Sequence, residues 1–211
     1  MTGNTSSAVR QQRREPHDSL DDFPTPPWAT RALCEWLGAR GLIGPLCSVR
    51  EPAANRGHMA RVLAEYFDRV EASDVHDYGV GFAVEDYLFG PPPPFTRFTI
   101  TNPPFRLAVE FIHRALACSQ YVAVIVRSAF LEGGARYRDL FATNPPAHVF
   151  QFSERVVMHR GRLSENGSTA TAYCWLLWTP RPVALPQLSW IPPGTRRRLE
   201  RAGDYPAEVA A

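Results

Sequence analysis

Lysine is absent from this chain, and all 23 of its basic residues are arginine. That absence excludes Schiff-base enzymes and any NTPase built on the P-loop lysine. Arginine forks bind phosphate well, but a genome rich in G and C gives the same bias, and we prefer that reading. Metal and thiol signatures are sparse too. Cys34, Cys47, Cys118 and Cys174 include no C-x-x-C pair and no histidine at zinc-ligand spacing, so no metal is expected. No apolar run reaches the roughly 18 residues of a membrane span, so no membrane partner is expected. The polar start, with Arg10, Arg13 and Arg14, lacks the apolar core of a secretory signal, and a reducing cytoplasm is the expected compartment. Bulk charge of either sign is missing as well. A balance of 23 basic against 21 acidic residues excludes a polyanionic tail protein and a histone-like polycation.

What is present suffices for one domain, since 45% of the 211 residues are hydrophobic. Residues 1–22 are polar and aperiodic and read as a disordered or weakly ordered arm. Phe23-Pro24-Thr25-Pro26-Pro27 ends it, with Thr25 placed to cap a helix whose first turn tolerates proline. Ala29, Ala32, Leu33, Trp36 and Leu37 follow at helical spacing until Gly38 and Gly41. A strand over Leu46–Arg50 leads into the small-residue turn Glu51 to Gly57. Met59, Val62, Leu63, Tyr66 and Phe67 then repeat as a second amphipathic helix. A third segment, Arg69–Ser73, is a strand ending at Asp74. Strand, turn, helix, strand is a βαβ unit and predicts a parallel sheet.

The middle of the chain repeats the theme. A strand over Phe98–Thr101 stops at Asn102-Pro103-Pro104-Phe105, a helix carries Phe111 and Ile112, and Tyr121–Val126 suits a buried central strand. Val149–Phe152 and Ala172–Trp178 read as an antiparallel pair around the polar loop Gly161–Ser168. From Thr179 the chain is Pro-rich, then basic at Arg196, Arg197, Arg198 and Arg201. The expected fold is α/β: a mostly parallel sheet, helices on both faces, and an antiparallel hairpin at one edge.

Two constellations could do chemistry. Glu51 to Gly57 sits where backbone amides and a helix start point into a crevice, and Asp74 ends the next strand, near the spacing at which an acid binds ribose. A tight turn with a solvated aspartate gives the same pattern. The acid opening the turn disfavours a phosphate ligand and suits a cationic amino-acid group. Asn102-Pro103-Pro104-Phe105 is sharper. It stops a strand at its carboxyl end, and its prolines aim a carbonyl outward beside the asparagine oxygen. Two converging acceptors beside an aromatic face suit a planar NH2-bearing group. His58, His76 and His113 read as structural or loop residues, and Arg196–Arg198 as a solvated tail or a phosphate contact.

Together these residues resemble the S-adenosylmethionine-dependent amino-methyltransferases, the adenine-N6 DNA methyltransferases in particular, including small phage-type or prophage-type ones. The resemblance implies a Rossmann-like class I methyltransferase fold over residues 23–179, followed by a Pro-rich, basic tail over 180–211. It implies that Phe23, Thr25 and Pro26 flank the methionine part of the cofactor, and that Glu51, Pro52, Ala53, Asn55 and Gly57 form the cofactor loop. Asp74 with Val75 matches the ribose site, Asp86 with Tyr87 the adenine site, and Asn102, Pro103, Pro104 and Phe105 the catalytic tetrad, Asn102 also touching the cofactor. The implied reaction is methyl transfer to an exocyclic amine, N6 of adenine in DNA, with the base flipped from a duplex or taken from a single strand. Arg196, Arg197 and Arg198 are candidate nucleic-acid contacts. An RNA-base or protein-glutamine methyltransferase, or an inactive nucleic-acid-binding relative, would carry the same residues. One departure stands out: Asn55 occupies a position usually held by glycine.

Overall fold

The computed structural model describes residues 21–205. Residues 1–20 and 206–211 lie outside the described residues, and with them most of the arm expected over 1–22. Helix α1 (Pro27–Gly38) begins on proline, which is tolerated because first-turn N–H groups have no intrahelical acceptor. Thr25 does not cap it. Pro26 takes the N-cap position, so Thr25 falls one residue too early to reach the first-turn amides, and its buried hydroxyl has no partner.

Strand β1 (Ser48–Glu51), helix α2 (His58–Leu63) and strand β2 (Arg69–Asp74) form the expected βαβ unit. Helix α2 ends at Leu63, short of the periodic run, but a turn bonded from Phe67 N to Leu63 O still carries Phe67 into the core. Then come β3 (Ala83–Val84), β4 (Thr96–Thr101), α3 (Ala108–Cys118) and β5 (Ser119–Arg127). A 3-10 turn and the short helix α4 (Gly134–Arg136) lead to β6 (His148–Phe152) and β7 (Tyr173–Trp178). The order across the sheet is β3-β2-β1-β4-β5-β7-β6, extended by a last strand, β8 (Gln187–Ile191). Only β7 runs antiparallel to its neighbours, pairing Val124 with Leu176 and Phe150 with Trp175.

The hairpin is therefore not the sheet's edge, because β8 lies outside it, parallel to β6. The stretch expected as a tail thus supplies an edge strand and a helix, α5 (Thr195–Leu199). Prolines flank this strand on both sides (Pro186, Pro192 and Pro193) and give the segment the pattern of a loop, and its alternating Leu188 and Trp190 are exposed rather than buried in a core.

Two cores sandwich the sheet. On β5, Ala123 and Ile125 face α1 and α2, while Val122, Val124 and Val126 face α3, as the period-two alternation of a strand requires. Trp175 fixes α1 to the sheet by donating its indole N–H to the Ala29 carbonyl at 2.9 Å. Among the described residues no helix is long and apolar enough to cross a membrane.

The segment after α5 is held by one buried guanidinium. Arg31, on α1, donates to Glu65, to Asp204 at 2.6 Å and to the Leu199 carbonyl at 2.8 Å. Asp204 is as buried as Arg31, whereas Glu65 is partly exposed. Arg31→Met leaves Asp204 buried and unpaired and should destabilise the fold by about 3 kcal/mol, the low end for a broken buried pair. Denaturant unfolding measures it; a loss under about 1 kcal/mol would make the cluster no stronger than a surface pair.

Candidate active site

The carboxyl ends of β1, β2 and β4 open into one pocket, where an α/β sheet places its ligands. Its floor is the turn after β1. Asn55 has φ 51° and Gly57, the N-cap of α2, has φ 78°. At Gly57 a side chain is doubly excluded, since a Cβ would stand 2.7 Å from the Phe82 ring. Asn55 is the residue after glycine that best tolerates this region. Asp74 holds the turn from β2, accepting the Asn55 N–H at 2.8 Å and the His76 N–H at 3.0 Å.

Most of the expected cofactor residues meet here. Phe23, Thr25, Pro52, Ala53 and Asn55 line the pocket, as do Asp74, Val75, Asp86, Tyr87 and Asn102. Asp86 is exposed, while Tyr87 is buried with its hydroxyl 3.6 Å from Cys118 Sγ. Pro104 of the tetrad lines it too, whereas Pro26, Glu51, Gly57, Pro103 and Phe105 do not.

Glu51 is fully buried. Its Oε1 accepts from the Thr101 hydroxyl at 2.6 Å and from the Ala53 N–H at 3.3 Å, and its Oε2 has no partner. Burial pushes its carboxyl up to about 8, against the two hydrogen bonds and with a smaller push from Asp74. His58, expected as a structural residue, lines the pocket from the first turn of α2, and burial with the adjacent Arg61 and Arg56 holds it down to about 4, so it is neutral at pH 7.

β4 ends at Thr101 because Pro103 and Pro104 cannot donate to a ladder. The Asn102 Nδ2 donates to the Phe23 carbonyl at 2.8 Å, which turns Oδ1 the other way. Pro104 gives its carbonyl to Leu107 N at the start of α3. Among the described residues, Asn102 Oδ1 and the Pro103 carbonyl accept no hydrogen bond. The Phe105 ring lies 5.6 Å from Phe23 and carries the Arg127 guanidinium 4.1 Å from its centroid.

Met59, Tyr78, Leu88, Leu107 and Phe111 also line the pocket without having been expected there, and three further unexpected residues bond or cover the site's own residues. Asp21 accepts the Phe105 N–H, and Asp22 bonds the cofactor loop through Asn55 and Arg56. Both had been assigned to the arm on polarity, and their partners are too distant in sequence for a local pattern to betray them. Arg127 closes a strand read only as apolar. By contrast, Arg196, Arg197 and Arg198 do not line the pocket. Arg196 pairs with Glu200 and Arg198 with Glu35, leaving Arg197 exposed. All four cysteines are buried and none of them lines the pocket, and burial pushes the Cys174 thiol up to about 12.

No protein-family model matches the chain, and no curated protein sequence matches it. Solved structures match at the level of the fold. A protein of Listeria monocytogenes described as a class I S-adenosylmethionine-dependent methyltransferase superposes with a TM-score of 0.64 at 13% identity, covering 90% of this chain and 73% of its own. A protein of Pyrococcus horikoshii described as an RNA methyltransferase gives 0.56 at 15% identity, covering 82% and 95%. The methyltransferase subunit of the type I restriction-modification system of Streptococcus thermophilus gives 0.59 at 10% identity, covering 75% and 45%. The chain has the class I methyltransferase fold.

Glu51 makes stability pH-dependent. Its folded value lies above the ordinary one, so its stabilising contribution is full below about 4.5 and is lost as pH rises towards about 8. In urea unfolding of the ligand-free protein, Glu51→Gln should therefore gain on the parent steadily between those limits. Parallel stability curves for the two proteins would place an ionised Glu51 in the folded state.

Proposed function

We propose that the protein transfers a methyl group from S-adenosylmethionine to an exocyclic amine, N6 of adenine in cytoplasmic DNA. One observation carries this reading: among the described residues no hydrogen bond is made to Asn102 Oδ1 or to the Pro103 carbonyl, acceptors on two consecutive residues at a strand end. An NH2 group has two donors to match them. The Thr25 hydroxyl, buried on the pocket wall without a partner, supports a polar ligand there. So do the small residues Ala53 and Ala54, which permit close approach to the backbone, and the carboxylates of Asp74 and Asp86 on the same wall. These residues fit S-adenosylmethionine, with Asp74 towards the ribose hydroxyls, Asp86 towards the adenine, and Phe23 and Thr25 towards the methionine part.

When bound, the cofactor supplies an electrophilic methyl group on a sulfonium. The protein's own work is done on the acceptor nitrogen. Its lone pair is conjugated with the ring and weakly nucleophilic, and hydrogen bonds to Asn102 Oδ1 and the Pro103 carbonyl favour the pyramidal geometry in which it can attack. This is positioning and electrostatic catalysis, and it needs no covalent intermediate on the enzyme. Phe105 stacks on the base, which replaces the Arg127 guanidinium on that ring and has first left its duplex or comes from a single strand.

Mass spectrometry of nucleosides from DNA incubated with enzyme and cofactor should reveal N6-methyladenine. Finding 5-methylcytosine, or methyl groups only on RNA or protein, would overturn the assignment. Asn102→Ala should lower turnover by about a hundredfold or more, the scale of a lost oxyanion-type contact, with cofactor binding near normal. Phe105→Ala should forfeit the roughly 1–3 kcal/mol of a base stack. In calorimetry Asp74→Ala should weaken cofactor binding by about 1.5–3 kcal/mol, as for a hydrogen bond to a charged group. Unchanged affinity in a folded variant would remove Asp74 from the site.

A further inference from the structure

Asn55 sits at φ 51°, a backbone region glycine enters freely, so its side chain must serve some other end. That side chain turns towards Asp22. Its Nδ2 donates to Asp22 Oδ1 at 2.7 Å, and its Oδ1 accepts the Arg56 N–H at 2.6 Å. The Arg56 guanidinium closes the triangle, reaching Asp22 Oδ2 at 2.8 Å. Asp22 is buried, and its own carbonyl takes the N–H of Gly161, in the loop between β6 and β7. One residue further, the Phe23 carbonyl holds the Nδ2 of Asn102. A continuous path of bonds therefore runs from the turn after β1, through the strap of residues 21–23, to the side-chain amide of Asn102.

We propose that Asn55 and Asp22 are positioning residues for Asn102: the pair clamps the strap so that the Phe23 carbonyl fixes the tetrad amide with Oδ1 presented to the amine. The proposal rests on the methyltransferase reading for its effect on turnover, but not for its effect on the amide. Neither side chain reaches the reacting nitrogen. A flipped Asn102 amide would present NH2 to NH2, a repulsive pairing that cannot draw the substrate nitrogen out of conjugation. The strap removes that state in advance.

The pair can be tested by exchanging its two groups. Asn55→Asp sets two carboxylates face to face, and Asn55→Gly deletes the clamp without straining the turn. Each should lower kcat at saturating cofactor by about tenfold or more, the scale of a small misplacement of a catalytic group, with much less change in cofactor dissociation constant. Adding Asp22→Asn to Asn55→Asp restores one amide opposite one carboxylate and should recover most of kcat. The side-chain amide resonances of Asn102, assigned by their loss in Asn102→Ala, supply a readout that needs no substrate. They should be shifted and slow to exchange in the parent and in the exchanged pair, and fast to exchange in Asn55→Gly and Asn55→Asp. Weaker cofactor binding with kcat intact would make Asn55 a ligand and overturn the proposal, as would Asn102 amide protons equally protected in every variant. If the parent methylates no amine while the resonances behave as described, it is the methyltransferase reading that fails and the clamp that stands.

Discussion

The hydrogen bond from Asn102 Nδ2 to the Phe23 carbonyl is the constraint on which the site depends. An asparagine amide has nearly the same shape either way round, so only its partners decide which end faces the substrate. Fixing the nitrogen fixes the oxygen at the strand end, where Pro103 and Pro104 stop the ladder. The sheet supplies the rigid side of this arrangement. Thr101 pairs with Val124 of β5, and its hydroxyl reaches across to the buried carboxyl of Glu51 at the end of β1. The strap supplies the other side, tied to the cofactor turn, the tetrad and the β6–β7 loop at once.

Charge is distributed unevenly around this centre, and each group has a reason for its state. Burial behind the turn raises the Glu51 carboxyl to about 8, so the floor of the pocket carries less negative charge at pH 7 than its sequence suggests. Asp74 spends its carboxylate on two backbone N–H groups, which keeps the turn in shape for a ligand. Cationic groups gather on the outer side, where Arg127 covers the Phe105 ring as a planar cation on an aromatic face.

Periodicity and turn chemistry made much of this readable beforehand. The βαβ unit, the strand ending on the tetrad and the apolar β5 each follow from a local pattern: small residues between apolar repeats, prolines after a strand, and a continuous hydrophobic run. What local pattern could not give is contact between distant segments. Asp21 and Asp22 look like solvated linker residues until Phe105 and Asn55 are placed against them, and Arg31 looks like one more polar helix residue until Asp204 arrives. Strand β8 lacks buried positions, and its neighbouring prolines mask it. The basic run at Arg196–Arg198 drew attention as a charge cluster, but two of its members are spent on carboxylates. Asn55 was visible as an oddity. Its meaning appeared only with its partner.

The central claim, that Asn102 and Pro103 together receive an exocyclic amine, is tested most directly by a crystal structure with a nonreactive S-adenosylmethionine analogue and an adenine-containing oligonucleotide. The account expects the adenine N6 within about 3 Å of both Asn102 Oδ1 and the Pro103 carbonyl, with the base against Phe105 and the methyl-donor end of the analogue facing the same nitrogen. A base bound elsewhere, or an Asn102 amide turned with its nitrogen towards the substrate, would contradict it.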